Sequence, residues 1–177
     1  METMKKRDGK LKYLLPAGIT LLRLIAAPFF YLAFVNSACT TALLVVIFAG
    51  ITDIADGKIA RKMDAASTFG AFFDVITDFI FIVAAFAAFV SQDWYGVFVV
   101  MPIAVSFIHF LIGRGFKKPV YDPLGRYSGA VVLVIIGLTV LLPYPMLRTV
   151  LSYFLAVFFI VSIVLRIGYL GKLKSGN

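Results

Sequence analysis

Residues 53–78 read DIADGKIARKMDAASTFGAFFDVITD, and four of the five aspartates in this stretch interrupt two otherwise apolar segments. Asp53 and Asp56 are three positions apart, and Asp74 and Asp78 are four positions apart. Residues at these spacings share one face of an α-helix, so each pair is expected to point in one direction. A carboxylate at the centre of a bilayer costs at least about 2.5–3.5 kcal/mol, and such residues usually face a protein cavity. The stretch therefore predicts a helical hairpin that carries a functional site.

The composition of the whole chain is that of a membrane protein. Of its 177 residues, 62% are hydrophobic and 15% are charged, and the mean hydropathy is +1.00. A soluble domain of about 150 residues keeps roughly 30% of its surface in water, and it could not hide this much apolar surface. The single cysteine, Cys39, excludes an intrachain disulfide. In a membrane protein, an excess of Lys and Arg that gives a net charge of +8 indicates first how the chain is oriented in the bilayer. We therefore expect no nucleic-acid partner.

We predict one all-α integral membrane domain over residues 1–177, with six transmembrane helices. A spanning helix needs about 20 residues, and the separators between the apolar segments are short. The basic residues 1–15 are expected to lie along the cytoplasmic interface as a helix, with disorder of residues 1–8 as the alternative. The predicted spans are about 16–36, 39–60, 67–91, 95–113, 127–142 and 147–169.

The distribution of basic residues predicts the orientation. Six spans place both chain ends on one side of the membrane, and all 17 Lys and Arg residues except Arg23 and Arg148 fall in segments on that side. The positive-inside rule makes that side cytoplasmic. Asp53 lies eight residues before Arg61, where the second span ends, and Asp74 lies seven residues after Ser67, where the third begins, so both are roughly 10–12 Å from the cytoplasmic helix ends. We therefore expect a multi-pass protein whose termini and functional site face the cytoplasm.

Four carboxylates at one depth repel one another unless cations compensate them. The cations within the same two spans are Lys58 and Arg61, and Arg23 in the first span lies at a similar depth. Arg23 is expected either to orient one aspartate or to extend to the interface. Ligands that are all oxygen favour hard divalent ions such as Mg²⁺ or Mn²⁺, and two such ions would balance four carboxylates. Gly57 and Gly70 would let a ligand approach the backbone beside them.

The aspartates belong to a longer pattern of eight positions at fixed spacings: Asp53, Asp56, Gly57, Ala60, Arg61, Gly70, Asp74 and Asp78. This pattern resembles the signature of the CDP-alcohol phosphotransferase family. Members of that family are integral membrane phosphotransferases that move a phosphatidyl group from a CDP-linked lipid to an alcohol and release CMP. The resemblance implies the same activity in phospholipid biosynthesis, a CDP-linked lipid and a small alcohol as substrates, and a homodimer.

The resemblance also implies a role for each matching residue. Asp53, Asp56 and Asp74 would hold one Mg²⁺ or Mn²⁺, and Asp53, Asp74 and Asp78 would hold a second. Asp78 would also take the proton from the acceptor hydroxyl. Residues 16–23 are similar to a family stretch in which Thr20 and Arg23 match, although Ala17 stands where Asn is frequent. The implied contacts to the CDP-lipid come from Thr20, Gly57, Ala60, Arg61, Ser67 and Gly70.

The acceptor is the least determined substrate. Further cations on the cytoplasmic side suit a phosphorylated acceptor such as glycerol phosphate or inositol phosphate, and they are Lys117, Lys118, Arg126 and Arg166. Serine or another unphosphorylated alcohol is the alternative, because cytoplasmic loops carry basic residues whatever the substrate. A small cation transporter is the rival function from another class, since ion pathways also use intramembrane carboxylates. A transporter would distribute its acids along a path instead of gathering them at one depth.

Overall fold

A computed structural model describes residues 2–62, 68–113 and 125–175, and the regular secondary structure in these ranges is all helical. A short 3₁₀ helix at Val97–Val99 leads into the fourth α-helix. The predicted all-α class is confirmed. The α-helices are α1 (Glu2–Val35), α2 (Cys39–Lys62), α3 (Thr68–Ser91), α4 (Val100–Gly113), α5 (Gly125–Leu141) and α6 (Pro145–Ser175).

Each predicted span overlaps one of these helices, most boundaries agree within two residues, and the largest differences are at the start of α1 and the end of α6. Helix α1 continues back to Glu2 with no break near residue 15, so residues 2–15 are not a separate helix. Residues 10–15 contain only Lys, Leu and Tyr, which a helix accommodates, and the helix then continues through Pro16, where a helix boundary is usual. The fourth helical segment begins at Val97 instead of residue 95, and α6 continues beyond the predicted residue 169 to Ser175.

Among the described residues, two helical segments are long and apolar enough to cross a bilayer. They are Phe73–Ser91, with 19 residues, and Pro145–Leu165, with 21 residues, and both have a hydropathy of 2.2. Four shorter apolar segments, of 10–17 residues, lie in the other helices: Thr20–Val35, Cys39–Ala55, Val97–Ile108 and Tyr127–Leu141. The number of spans, predicted as six, therefore stays a prediction.

The chain divides into two compact units, Met1–Ala88 and Phe89–Asn177. In the first unit α1 packs against α2, and aromatic rings join α1 to α3. The ring of Phe30 is fully buried, 6.0 Å from the ring of Phe34 and 5.8 Å from that of Phe81. Phe30 lies seven residues after Arg23, and Phe81 three residues after Asp78. This packing therefore fixes the part of α1 and α3 that carries the predicted site residues.

The turn between α1 and α2 ends the first helix without a glycine. Ser37 adopts the left-handed conformation, with φ of 60°. The Ala38 N–H donates to the Ala33 carbonyl at 2.9 Å, and the Ser37 N–H donates to the Phe34 carbonyl at 3.0 Å. This pair of bonds is a Schellman motif, which satisfies carbonyls that the helix end would leave unpaired. The tight turn lets α2 begin at Cys39 and pack back against α1.

In the second unit α6 packs against α4 and α5. A second Schellman motif ends α3, with Asp93 at φ of 56° and the Trp94 N–H donating to the Phe89 carbonyl at 2.9 Å. The Trp94 ring stacks on Phe89, with ring centroids 6.3 Å apart, and the Arg148 guanidinium lies 4.5 Å from the centre of the Trp94 ring. These contacts hold the loop between α3 and α4 in one conformation.

Candidate functional site

Three of the four predicted aspartates converge in the first unit. Asp53 comes from α2, and Asp74 and Asp78 come from successive turns of one face of α3. One carboxylate oxygen from each of the three residues lies within 4.8 Å of the other two. We call Asp53, Asp74 and Asp78 the carboxylate triad. The spacing of four between Asp74 and Asp78 puts them on one face of α3, as the sequence predicted.

The carboxylate triad could hold a divalent metal ion. Carboxylate oxygens are hard donors that Mg²⁺ and Mn²⁺ prefer, and three donors from two helices form part of a coordination shell. The side chains of Asp53, Asp74 and Asp78 are 40%, 35% and 29% exposed. This partial exposure leaves room for an ion, for water and for substrate oxygens. The donor set therefore fits the predicted metal.

A buried arginine from α1 joins the carboxylate triad. The side chain of Arg23 is only 3% exposed. Its Nη1 donates to Oδ1 of Asp74 at 3.0 Å and to Oδ1 of Asp78. Its Nη2 lies 3.2 Å from Oδ1 of Asp53. This contact is an ion pair without hydrogen-bond geometry, because Nη2 has no hydrogen-bond partner among the described residues. Three helices thus meet at one guanidinium.

The sequence of α1 explains why Arg23 points inward. The buried positions of this helix recur every three or four residues, which is the period of one helix face. Small side chains at Ala26 and Ala27 let the neighbouring helices approach closely beside the arginine. The residues of this buried face are Thr20, Arg23, Ala27, Phe30 and Phe34.

Two buried threonines immediately precede members of the carboxylate triad. Thr52 donates its hydroxyl to the carbonyls of Phe48 and Ala49, at 3.0 and 2.9 Å. Thr77, which is 1% exposed, donates in the same way to the carbonyl of Asp74 at 2.8 Å. Each hydroxyl is therefore satisfied within its own helix and does not compete for the carboxylates. The sequence analysis did not identify these two threonines. The pattern that could have indicated them is a threonine directly before an aspartate on both helices.

The other predicted site residues fall partly outside the described structure. Thr20 is described and buried. Ser67, Lys117 and Lys118 lie outside the described residues. For the remaining predicted residues, the structure describes the helical backbone but not the side chains. These residues are Asp56, Gly57, Ala60, Arg61, Gly70, Arg126 and Arg166.

Arg23 adds a cation to the predicted charge balance of the site, while the side chains of Lys58 and Arg61 lie outside the described residues. The sequence counted Lys58 and Arg61 as the nearby cations and expected Arg23 to orient one aspartate or to extend to the interface. Within the described part of the chain, the cation that contacts the carboxylate triad is Arg23, and it contacts all three members. The expectation that it orients an aspartate is confirmed, and the expectation that it extends to the interface was wrong.

Comparison with known proteins gives two kinds of match. Residues 13–168 match the family model described as CDP-alcohol phosphatidyltransferase. The relatives include proteins named CDP-diacylglycerol–glycerol-3-phosphate 3-phosphatidyltransferase from Haemophilus influenzae, which is 36% identical over 47% of this chain and 46% of its own, and from Wigglesworthia glossinidia brevipalpis, which is 33% identical over 55% of both. The protein of the same name from Escherichia coli K12 is 30% identical over 69% of this chain and 68% of its own. The matched part of this chain thus spans about half the length of the first two relatives.

Proposed function

This chain belongs to the CDP-alcohol phosphatidyltransferase family, and we propose on that basis that it transfers a phosphatidyl group from CDP-diacylglycerol to an alcohol and releases CMP. The observation that carries the proposal is the convergence of Asp53, Asp74 and Asp78. Family membership identifies the type of reaction, and the carboxylate triad supplies a place for its chemistry. The gathering of the acids at one point, where Arg23 contacts all three, argues against a transporter, which needs acids along a path.

The carboxylate triad, together with Asp56, is proposed to hold two divalent ions, Mg²⁺ or Mn²⁺. The donors are oxygens, and the positive charge of two divalent ions balances the four carboxylates. Bound there, the metal would neutralise charge on the diphosphate and lower the pKa of a coordinated hydroxyl. The residues of the chain supply the fixed negative charge that places such ions between α2 and α3.

Asp78 is proposed as the base of the reaction. It is one of the three converging carboxylates and is partly open to solvent, so an acceptor hydroxyl can reach it. The acceptor oxygen would form a bond to the phosphorus that carries the lipid, while the bond from that phosphorus to the oxygen of CMP breaks. The hydroxyl proton would pass to a carboxylate oxygen of Asp78.

Other residues are proposed to hold the CDP-lipid. Thr20 lies one turn before Arg23 on the buried face of α1, which directs it toward the same side as the carboxylate triad. Arg61 can offer a fork of N–H donors to phosphate oxygens, a geometry that lysine does not provide. The remaining proposed contacts are Gly57, Ala60, Ser67 and Gly70.

Glycerol 3-phosphate is the proposed acceptor. The relatives from Haemophilus influenzae and Escherichia coli carry this acceptor in their names. Its phosphate is proposed to bind basic residues on the cytoplasmic side, which are Lys117, Lys118, Arg126 and Arg166. Inositol phosphate and unphosphorylated alcohols such as serine are the alternatives that an assay must separate.

The proposed membrane arrangement has six spans with both termini on the cytoplasmic side, and the proposed assembly is a homodimer. The apolar segments Phe73–Ser91 and Pro145–Leu165 and the family support the membrane location. The asymmetry of Lys and Arg supports the orientation. Cysteine labelling from either side of sealed vesicles would test this topology.

The proposed function is tested by release of CMP from CDP-diacylglycerol by the purified full-length protein with Mg²⁺. We expect release with glycerol 3-phosphate and much less with inositol phosphate or serine. Asp78→Asn is expected to lower the rate by about 10²–10⁴-fold, the usual contribution of a general base. The matched control is Asp93→Asn, because Asp93 lies in the loop after α3 and asparagine tolerates its left-handed backbone. No CMP release with any acceptor would refute the proposed function, and a full rate with Asp78→Asn would refute the proposed base.

A further inference from the structure

Arg23 forms an unusual charge arrangement with the carboxylate triad. One guanidinium, 3% exposed, contacts three carboxylates from two other helices. Three negative charges and one positive charge leave two net negative charges among these four described groups. A buried arginine needs anionic partners to offset its desolvation, and Arg23 meets that need entirely within the site.

From these contacts we infer that Arg23 is a built-in counter-ion of the carboxylate triad, which holds the three carboxylates together before metal binds and competes with the metal for them. The inference rests on the proposed function in one respect, which is that the carboxylate triad binds a divalent ion. Arg23 is thus a positioning residue that acts through Asp53, Asp74 and Asp78.

Assembly before metal binding follows from repulsion. Three carboxylates whose oxygens lie within 4.8 Å of one another would separate if no cation lay between them. Arg23 approaches the same oxygen, Oδ1, of each aspartate. Each carboxylate also has a second oxygen with lone pairs of its own. The arginine can therefore fix the three side chains while a metal ion binds to the same residues.

Competition follows from the sign of the charge. A divalent ion that approaches the carboxylate triad meets the positive guanidinium beside the same oxygens. A unit charge within a few ångströms changes the affinity by roughly tenfold or more at protein-like dielectric constants, even when the groups are about one third exposed. Arg23 therefore weakens metal binding while it keeps the ligands in place.

Loss of contact to Asp53 should be the first consequence of metal binding. The ion pair from Nη2 to Asp53 lacks hydrogen-bond geometry, whereas Nη1 donates to both aspartates of α3. Asp53 is also the most exposed member of the carboxylate triad. The arginine is thus anchored mainly on α3, and its contact with α2 is the easier one to give up.

The test is a titration of the detergent-solubilised full-length protein with Mn²⁺, in which the electron paramagnetic resonance signal of free Mn²⁺ measures binding. We expect Arg23→Gln to bind Mn²⁺ about tenfold more tightly than the wild type. Arg23→Lys keeps the charge, so its affinity is expected to stay close to that of the wild type. Arg148→Gln is the matched control, because Arg148 lies against Trp94 in the second unit, and its affinity is expected not to change. Unchanged or weaker Mn²⁺ binding by Arg23→Gln would overturn the inference.

Thermal unfolding separates this role from a purely structural one. With chelator present, Arg23→Gln is expected to unfold roughly 5–10 °C below the wild type, because three partly buried carboxylates lose their counter-ion. Saturating Mn²⁺ is expected to recover at least half of that loss, as tighter binding requires. An arginine that only stabilises the fold would lower the unfolding temperature equally with and without Mn²⁺, and that result would overturn the inference.

If Arg23→Gln does not fold, the same test is made in a protein that also carries Asp78→Asn. Asp78→Asn removes one negative charge, so the double variant Asp78→Asn/Arg23→Gln has fewer unbalanced charges and is expected to fold. Within this background, removal of Arg23 is expected to tighten Mn²⁺ binding, and weaker or equal binding contradicts the inference. CMP release is measured separately on the wild type. If the wild type releases no CMP but the Mn²⁺ affinities change as expected, only the proposed function is rejected. If the wild type releases CMP but Arg23→Gln binds Mn²⁺ with unchanged affinity, only this inference is rejected.

Discussion

Replacement of Phe30 by alanine should destabilise the first unit far more than the same change at its neighbour Phe29. The Phe30 side chain is fully buried, and its ring lies 6.0 Å from the ring of Phe34 and 5.8 Å from that of Phe81. Phe29, about 100° around α1 from Phe30, is 62% exposed. The two variants lose the same atoms at adjacent positions, so their difference isolates packing.

The magnitude follows from the contacts of Phe30. Each aromatic pair contributes about 0.5–1.5 kcal/mol, so two pairs contribute roughly 1–3 kcal/mol. The cavity left by the ring adds on the order of 1 kcal/mol after partial collapse. Transfer out of water adds little, because lipid tails are as apolar as the protein core. The sum of about 2–4 kcal/mol corresponds to roughly 5–15 °C in the unfolding temperature of a chain of this size.

The assay for Phe30 is thermal unfolding of wild type, Phe30→Ala and Phe29→Ala in one detergent, with Mn²⁺ binding measured on each folded protein. Because Phe30 packs α1 onto Phe81 three residues beyond Asp78, Phe30→Ala is expected also to change Mn²⁺ binding, and Phe29→Ala is not. Equal unfolding temperatures for the two variants would refute the reasoning that the Phe30 packing holds α1 against α3.

Two further changes test the second unit. Asp93→Gly is expected to raise the free energy of unfolding by about 0.5–1 kcal/mol in a denaturation series. Asp93 holds a left-handed conformation that costs a non-glycine residue about 1–2 kcal/mol, and the greater entropy that glycine loses on folding offsets part of this gain. A decrease in the free energy of unfolding would show that the Asp93 side chain matters more than its backbone. Tyr95→Phe is expected to lower the free energy of unfolding by about 0.5–1.5 kcal/mol, because it removes a hydrogen bond of 2.8 Å to the Thr139 hydroxyl. The Tyr95 hydroxyl is the donor, since the Thr139 hydroxyl donates its own hydrogen to the Ile135 carbonyl. Tyr144→Phe, at an exposed tyrosine, is its control and should change stability by less than about 0.5 kcal/mol.

The convergence of the carboxylates could be predicted because local rules determine most of it. The spacing of four places Asp74 and Asp78 on one face of α3, and a short connection returns α3 beside α2, where Asp53 lies at a matching distance from the helix end. Hydrophobicity alone predicted the helices, since each apolar segment is long enough to form one.

The central position of Arg23 could be predicted only in part. Its depth follows from counting residues along α1, but its direction depends on how α1 rotates against α2 and α3. That rotation is set by contacts between residues far apart in sequence, such as Phe30 with Phe81. No local pattern encodes such contacts, so the sequence predicted contact with one aspartate where the structure has three.

The helix ends were also beyond local rules. Glycine is the usual residue where a helix ends in a left-handed turn, yet Ser37 and Asp93 hold these positions. The predicted spans 16–36 and 67–91 end close to both places, but the end of an apolar segment does not specify the backbone conformation. Helix α1 continues to Glu2 through Pro16, a residue that usually ends or kinks a helix, so local rules did not predict its length.

Removal and return of the metal is the measurement that tests the central claim most directly. The full-length protein is stripped with a chelator, and CMP release from CDP-diacylglycerol and glycerol 3-phosphate is followed before and after Mg²⁺ is added back. If the carboxylate triad holds the ions that the reaction uses, release is absent in chelator and returns with Mg²⁺ in the wild type, but does not return in Asp74→Asn. A full rate of release in excess chelator, or full recovery in Asp74→Asn, would contradict the claim.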